Sequence, residues 1–358
     1  MFRSRRDVTT ILGEVIGIDK SAREVRLKTG PALKYDTLIL ATGARHAYFG
    51  RDDWEPFAPG LKALEDATTI RRRLLLAFER AELDTDPATR QALLTFTIIG
   101  AGPTGVEMAG IIAQLAHHTL PKEFRSIDTS HSRIILVEAG PRVLPVFHES
   151  LSSYAMSALT KLGVEVRTGN PVTSCTDEGI TVGGEFVAAK TIIWAAGVQA
   201  SKAGQWLEAE VDRAGRVKVE ADLTLPGSPE IFVVGDTAQV VAADGRMVPG
   251  IAPAAKQQGG YVARVMKARL TKATPPPAFR YQHLGNLATI GPNAAVIELG
   301  RFRLSGWLAW WVWGLAHIYF LIGTRSRLAV ALSWLWTAAT GLHSARLITQ
   351  KETLKDEV

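Results

Sequence analysis

The sequence predicts an α/β chain, and three observations carry that expectation. Short apolar runs of strand type alternate with helical periodicities. A glycine-rich turn, Gly100-Ala-Gly-Pro-Thr-Gly105, joins an apolar run to a helical one. Beyond Gly300 the composition changes to apolar sequence dense in tryptophan. The chain has 358 residues, 47% of them hydrophobic, which suits two or three domains with cores of their own.

The start reads as a β-meander: a strand over Val8 to Ile18, a second over Glu24 to Lys28, and a turn at Gly30-Pro31. Met1 to Asp7 is basic, but the apolar stretch after it is short and broken by Glu14 and Gly17, which excludes a signal peptide. Tyr35 to Gly43 is a buried-type strand entering a small-residue turn, Ala-Thr42-Gly43. The pattern returns at Ile193-Trp-Ala-Ala-Gly197, and a third strand, Glu230-Ile-Phe-Val-Val-Gly235-Asp236, ends in Gly-Asp. Ala63 to Leu83 is helical, with apolar residues at Leu64, Ala67, Ile70, Leu74, Ala77 and Phe78. Pro87 to Gln91 reads as a linker, and Pro275-Pro-Pro277 as a break.

The run Leu94 to Ile99 feeds Gly100, Gly102 and Gly105, and a helical pattern follows through Val106, Ala109, Ile112 and Ala113. In a Rossmann-like unit the three glycines give the tight turn, the close approach to a pyrophosphate, and the packing of helix on strand. Pro103 and Thr104 would open the helix whose N–H groups face the phosphates. The competing reading is an ordinary β-turn-α junction. The next strand, Ser132 to Glu138, ends in a carboxylate suited to both ribose hydroxyls, which favours NADH over NADPH, although nearby Arg142 tolerates a phosphate. His117 to His131 is then an insertion, and His117-His118 reads as a solvated helix end.

The formal net charge of +6 is spread along the chain, and no nucleic-acid module pattern is present. Eight histidines form no metal-ligand cluster. The one cysteine, Cys175, excludes a disulfide framework and an internal redox pair; it lies in a polar turn region and reads as inert.

Leu304 to Gly323 is nearly continuous apolar sequence carrying Trp307, Trp310, Trp311 and Trp313. Arg325-Ser-Arg327 follows, then Leu328 to Leu342 with Trp334 and Trp336. The first run reaches the roughly 20 residues a span needs, and the second does not. Tryptophan beside a basic turn fits helices lying in an anionic membrane interface; a span and a buried hairpin are the alternatives.

With these motifs in order, the chain resembles the type II NADH dehydrogenases, non-proton-pumping NADH:quinone oxidoreductases of the two-dinucleotide-binding-domain flavoprotein superfamily. The resemblance covers essentially the whole chain. It implies two Rossmann-like domains: a discontinuous FAD domain, 1–93 with 199–285, and an NADH domain, 94–198. A C-terminal membrane-attachment region, 286–358, completes the chain. The family opens with a FAD-binding strand and GxGxxG loop, and no such segment precedes Val8, so the FAD domain is expected to be incomplete; an upstream start and a shortened chain both account for this.

The resemblance further implies that Thr42, Gly43 and Gly235 lie along FAD and that Asp236 holds its ribityl hydroxyls. Gly100, Gly102, Pro103, Thr104, Gly105, Glu138 and Gly197 would hold NADH. Glu107 matches an acidic position facing the nicotinamide and flavin, against a plain reading as a helix-start carboxylate. The family's quinone motif, Ala-Gln-x-Ala-x-Gln, falls on Ala252, Pro253, Ala255 and Gln257, so contact with quinone would rest on Gln257 with Gln258 beside it. The partners implied are a membrane quinone, an anionic lipid surface and a second copy in a homodimer, on the cytoplasmic face of the inner or plasma membrane. The alternatives are a soluble NAD(P)H-dependent flavin reductase and an NADH-binding membrane protein without activity.

Overall fold

In the computed structural model, residues 5–242, 245–340 and 348 are described. The chain divides into two compact units, Met1–Arg45 with Val198–Leu284, and His46–Gly197 with Gly285–Val358.

The second unit is built on four parallel strands in the order Thr191–Trp194, Thr95–Ile99, Arg133–Glu138, Val164–Thr168. Every residue of Thr95–Ile99 is buried, as expected of a central parallel strand covered on both faces. The helices Pro103–Gln114 and Glu149–Lys161 connect these strands, and an antiparallel sheet over Val172–Ala188 interrupts the series before the last strand. The helix Leu64–Leu83 belongs here, not with residues 1–45, because Ile70, Leu74 and Phe78 share one core with Phe96 and Ile98. The C-terminal meander Asn286–Gly291, Ala294–Leu299, Phe302–Gly306 joins the same unit, since Ala288, Ile290 and Val296 pack into the core formed by Val106, Ala109 and Ile112. The sequence reading had cut both pieces away.

The first unit holds the antiparallel meander Val15–Asp19, Glu24–Leu27, Leu33–Lys34. Its main sheet runs Thr224–Leu225, Ser228–Val233, Leu38–Leu40, and the last two strands are parallel. The helix Ala252–Thr271 buries Ala254, Tyr261, Val262 and Val265 against Phe232 and Val233.

Local expectations fail in instructive ways. The first strand begins at Val15, not Val8, and Leu12 is fully exposed at 104%. Pro87–Leu93 is a helix rather than a linker: Asp86 accepts from Thr89 N at 2.8 Å and Pro87 sits at the start, where its missing N–H costs nothing. Cys175 ends a strand inside an aromatic and aliphatic core, and burial pushes its thiol up to about 11, so it is inert for a reason other than the one expected. His117 is not solvated: its ring lies between the carbonyls of Leu162 (3.0 Å) and Ser132 (3.1 Å).

The apolar tail is not one continuous segment. Leu304 pairs with Ile297 in a strand, Gly306 turns the chain at φ +87, and the helix runs from Trp307 to Phe320. Gly323, at φ +84, separates it from the helix Thr324–Thr340. Among the described residues no helix is long and apolar enough to cross a membrane. Residues 341–347, including Leu342 and Arg346, lie outside the described residues.

Candidate functional site

The glycine-rich cradle is set by sterics at two of its three glycines. Gly100 leaves the central strand at φ +102, and a Cβ there would stand 2.5 Å from Ala196 Cα. A Cβ on Gly105 would meet the Gly100 carbonyl oxygen at 1.8 Å, so any side chain would push helix and loop apart. Gly102 has open space on that side and caps the helix whose first residues are Pro103 and Thr104. The free N–H groups of this helix start, with their dipole, make an anion site at the carboxyl end of the sheet. The arrangement therefore fits a pyrophosphate. A fourth glycine had no role in the sequence reading. A Cβ on Gly110 would lie 1.6 Å from the Ile290 carbonyl oxygen, so Gly110 lets the strand Asn286–Gly291 cross the same helix in contact with it.

Glu138 lies one strand over, at the edge of this cradle. Its two carboxylate oxygens accept from Ala101 N (2.7 Å) and Gly140 N (2.8 Å), which fixes the carboxylate beside the glycine loop. Arg142 donates to the Pro145 carbonyl at 2.9 Å and is thus engaged by its own turn. Gly197 ends the Trp194–Gly197 turn on the opposite side of the central strand and is joined to the 47–50 loop by Ala47 N to Gly197 O at 3.2 Å. Glu107, in the second turn of the glycine-loop helix, accepts only a long bond from Thr289 N at 3.3 Å. Burial outweighs that contact and pushes its carboxyl up to about 7.

In the other unit the small-residue turns meet through hydroxyls. Thr42 Oγ1 is 2.6 Å from Ser201 Oγ and 3.3 Å from Thr237 Oγ1, and Thr237 Oγ1 donates to the Gly43 carbonyl at 3.0 Å. Ser201 and Thr237 were missed by sequence reading, since hydroxyls give no motif. Gly43 and Gly235 hold φ +68 and +73, and Gly43 has open space where a Cβ would be. Asp236 follows at the carboxyl end of the parallel strand, half-buried. Two left-handed glycines, Gly43 with open space beside it, and the Asp236 carboxylate suit a polyhydroxyl chain and the close approach of a flat ring, so these residues fit FAD.

The two glutamines separate. Gln257 is clasped by one backbone residue: its Nε2 donates to Gln282 O and its Oε1 accepts from Gln282 N, both at 2.9 Å. Gln258 is 2% exposed, and its Oε1 accepts from Gly235 N at 2.5 Å. Gln258 thus supports the Gly235 turn and is not a surface neighbour of Gln257. Pro253 sits in the first turn of the helix, as its chemistry permits.

Residues 1–259 match the pyridine nucleotide-disulphide oxidoreductase family model, and residues 283–343 match the NDH2 C-terminal domain model. The chain is 43% identical over 366 residues to the type II NADH:quinone oxidoreductase Ndh of Mycobacterium tuberculosis, covering 98% of this chain and 78% of that protein. It is 42% identical to NdhA of the same organism, over 93% of this chain and 73% of that one. The structure of NDH2 from Plasmodium falciparum in complex with NADH superposes with a TM-score of 0.85 at 19% identity, over 94% of this chain and 85% of that one, which speaks to the fold. The chain belongs to the type II NADH:quinone oxidoreductases of the pyridine nucleotide-disulphide oxidoreductase family.

Proposed function

We infer that this chain oxidises NADH and reduces a quinone, with FAD as its cofactor. The observation that carries the reading is the glycine cradle with Glu138 clamped at its edge, in a chain of this family. When bound, the flavin accepts hydride from the nicotinamide and passes two electrons on to quinone.

The protein's own part is binding, orientation and proton handling. Gly100, Gly102 and Gly105 admit the pyrophosphate to the helix start at Pro103 and Thr104. The Glu138 carboxylate, held by two N–H groups, keeps lone pairs for the ribose hydroxyls and meets a 2′-phosphate with like charge, so NADH is preferred. Thr42, Gly43, Gly235 and Asp236 line the flavin, with Asp236 accepting from the ribityl hydroxyls. Glu107, its carboxyl pushed up to about 7 by burial, can give or take a proton near neutrality within the nucleotide unit. Gln257 serves the quinone only after releasing Gln282.

The helices Trp307–Phe320 and Thr324–Thr340 lie on a membrane surface in this reading. Trp307, Trp311, Leu315, Tyr319, Leu328 and Trp336 are exposed large apolar side chains, and Arg325 and Arg327 in the first turn of the second helix suit anionic headgroups. The test is NADH oxidation at 340 nm by the purified flavin-loaded protein, with and without a soluble quinone. Flavin retention with no quinone-dependent turnover sinks the assignment.

A further inference from the structure

We propose that Phe49 is a movable cover over the nicotinamide end of the NADH site. Phe49 lies in a short loop pinned at Ala47 and Tyr48 ahead of it and closed behind it by Arg51 N, which donates to Tyr48 O at 3.0 Å. Ala47 N donates to Gly197 O, Trp194 Nε1 donates to Ala47 O at 3.0 Å, and buried Tyr48 donates its hydroxyl to Ala58 O at 2.8 Å. Between these anchors Phe49 holds φ +53, a left-handed conformation that its Cβ disfavours. The ring gains little in return, because the residue is 73% exposed. Its tip rests on Gly197: a Cβ there would lie 2.7 Å from Phe49 Cζ. The ring also tilts against Trp194 with centroids 6.2 Å apart. An exposed aromatic in a strained backbone is a poor stabiliser, and such outliers collect where a ligand is handled.

Topology says what it covers. Glu138 and Gly197 end strands on opposite sides of the central strand that bears Gly100. A dinucleotide with its pyrophosphate on Gly102 to Gly105 and its adenosine at Glu138 lays its nicotinamide riboside toward Ala195 to Gly197. Gly100 touches that turn already. The Phe49 ring stands on the surface this end must use, so NADH displaces it. The argument rests on the NADH reading of the cradle.

The experiment is equilibrium binding of NADH and of ADP-ribose, which lacks the nicotinamide, to the flavin-loaded protein and to Phe49→Ala, with tryptophan fluorescence reporting the ring beside Trp194. Losing the cover removes a conformational tax, so NADH binds about three- to tenfold tighter in the variant while ADP-ribose stays within about twofold. Phe49→Leu falls between, and Phe49→Gly, which also relieves the backbone, carries the test where the alanine variant does not fold. Equal changes for both ligands, no change for either, or weaker NADH binding alone overturns the cover. Wild-type protein that binds neither ligand overturns the NADH reading itself, which separates the two failures.

Discussion

Replacing Glu107 with glutamine tests the site through its buried carboxyl. Two forces oppose each other there. Burial disfavours the ionised form, and the Thr289 N–H favours it. Burial wins, raising the carboxyl from 4.5 to about 7. At roughly 1.4 kcal/mol per tenfold change, that is up to about 3 kcal/mol. The folded state holds this proton more tightly than the unfolded chain does. The carboxyl's contribution to stability is therefore intact below pH 4.5 and is lost as the pH rises through 7. Glutamine keeps an oxygen for Thr289 and cannot ionise. Urea unfolding followed by tryptophan fluorescence should find the two proteins nearly equal at pH 4. At pH 8 Glu107→Gln should be more stable by up to about 3 kcal/mol, as a shift of midpoint at constant slope. A variant no more stable at pH 8 than wild type would show that the carboxyl ionises freely, and proton exchange near neutrality would go with it.

Three further outcomes are expected. Gly110→Ala drives a methyl into the Ile290 carbonyl, and thermal unfolding should register a loss at or beyond about 3 kcal/mol, whereas a neutral result would mean the meander moves aside easily. Glu138→Ala removes the ribose acceptor and its charge, so the preference for NADH over NADPH in kcat/KM should narrow by at least about tenfold, and an unchanged ratio would place discrimination elsewhere. Changing Trp307 and Trp311 to serine should weaken co-sedimentation with vesicles containing anionic lipid while leaving soluble-quinone turnover intact; undiminished sedimentation would remove these helices from the membrane contact.

The central strand and the glycine loop were legible because part of their constraint is local: a side chain on Gly105 would strike Gly100, and the motif records that spacing. Ser201, Thr237 and Phe49 were not legible. Each acts across a turn on a partner far along the chain, and neither a hydroxyl nor an exposed phenylalanine announces such a partner in sequence. The helix Leu64–Leu83 was read correctly as an element and assigned to the wrong unit, because an apolar stripe says that a face is buried and not against which sheet. Pro87 misled for a related reason: proline marks a helix start as readily as a linker, and Asp86 ahead of it was the deciding signal.

In the quinone reading of Ala252 to Gln257, a substitution and a contact both withdraw polar groups. Where the family places a first glutamine, Pro253 offers no amide and no N–H. Gln257 lies one helical turn on and has both ends of its amide committed to Gln282. Neither position presents a free polar group. Quinone recognition in this reading therefore costs the two Gln282 bonds before any new bond forms, a charge against affinity that Gln257 to leucine would lift along with the contact itself. The segment carrying Gln282 follows Pro275-Pro-Pro277, whose fixed backbone limits how far it retreats. In this reading a quinone must replace two good hydrogen bonds, so it gains less from Gln257 than an uncommitted glutamine would give.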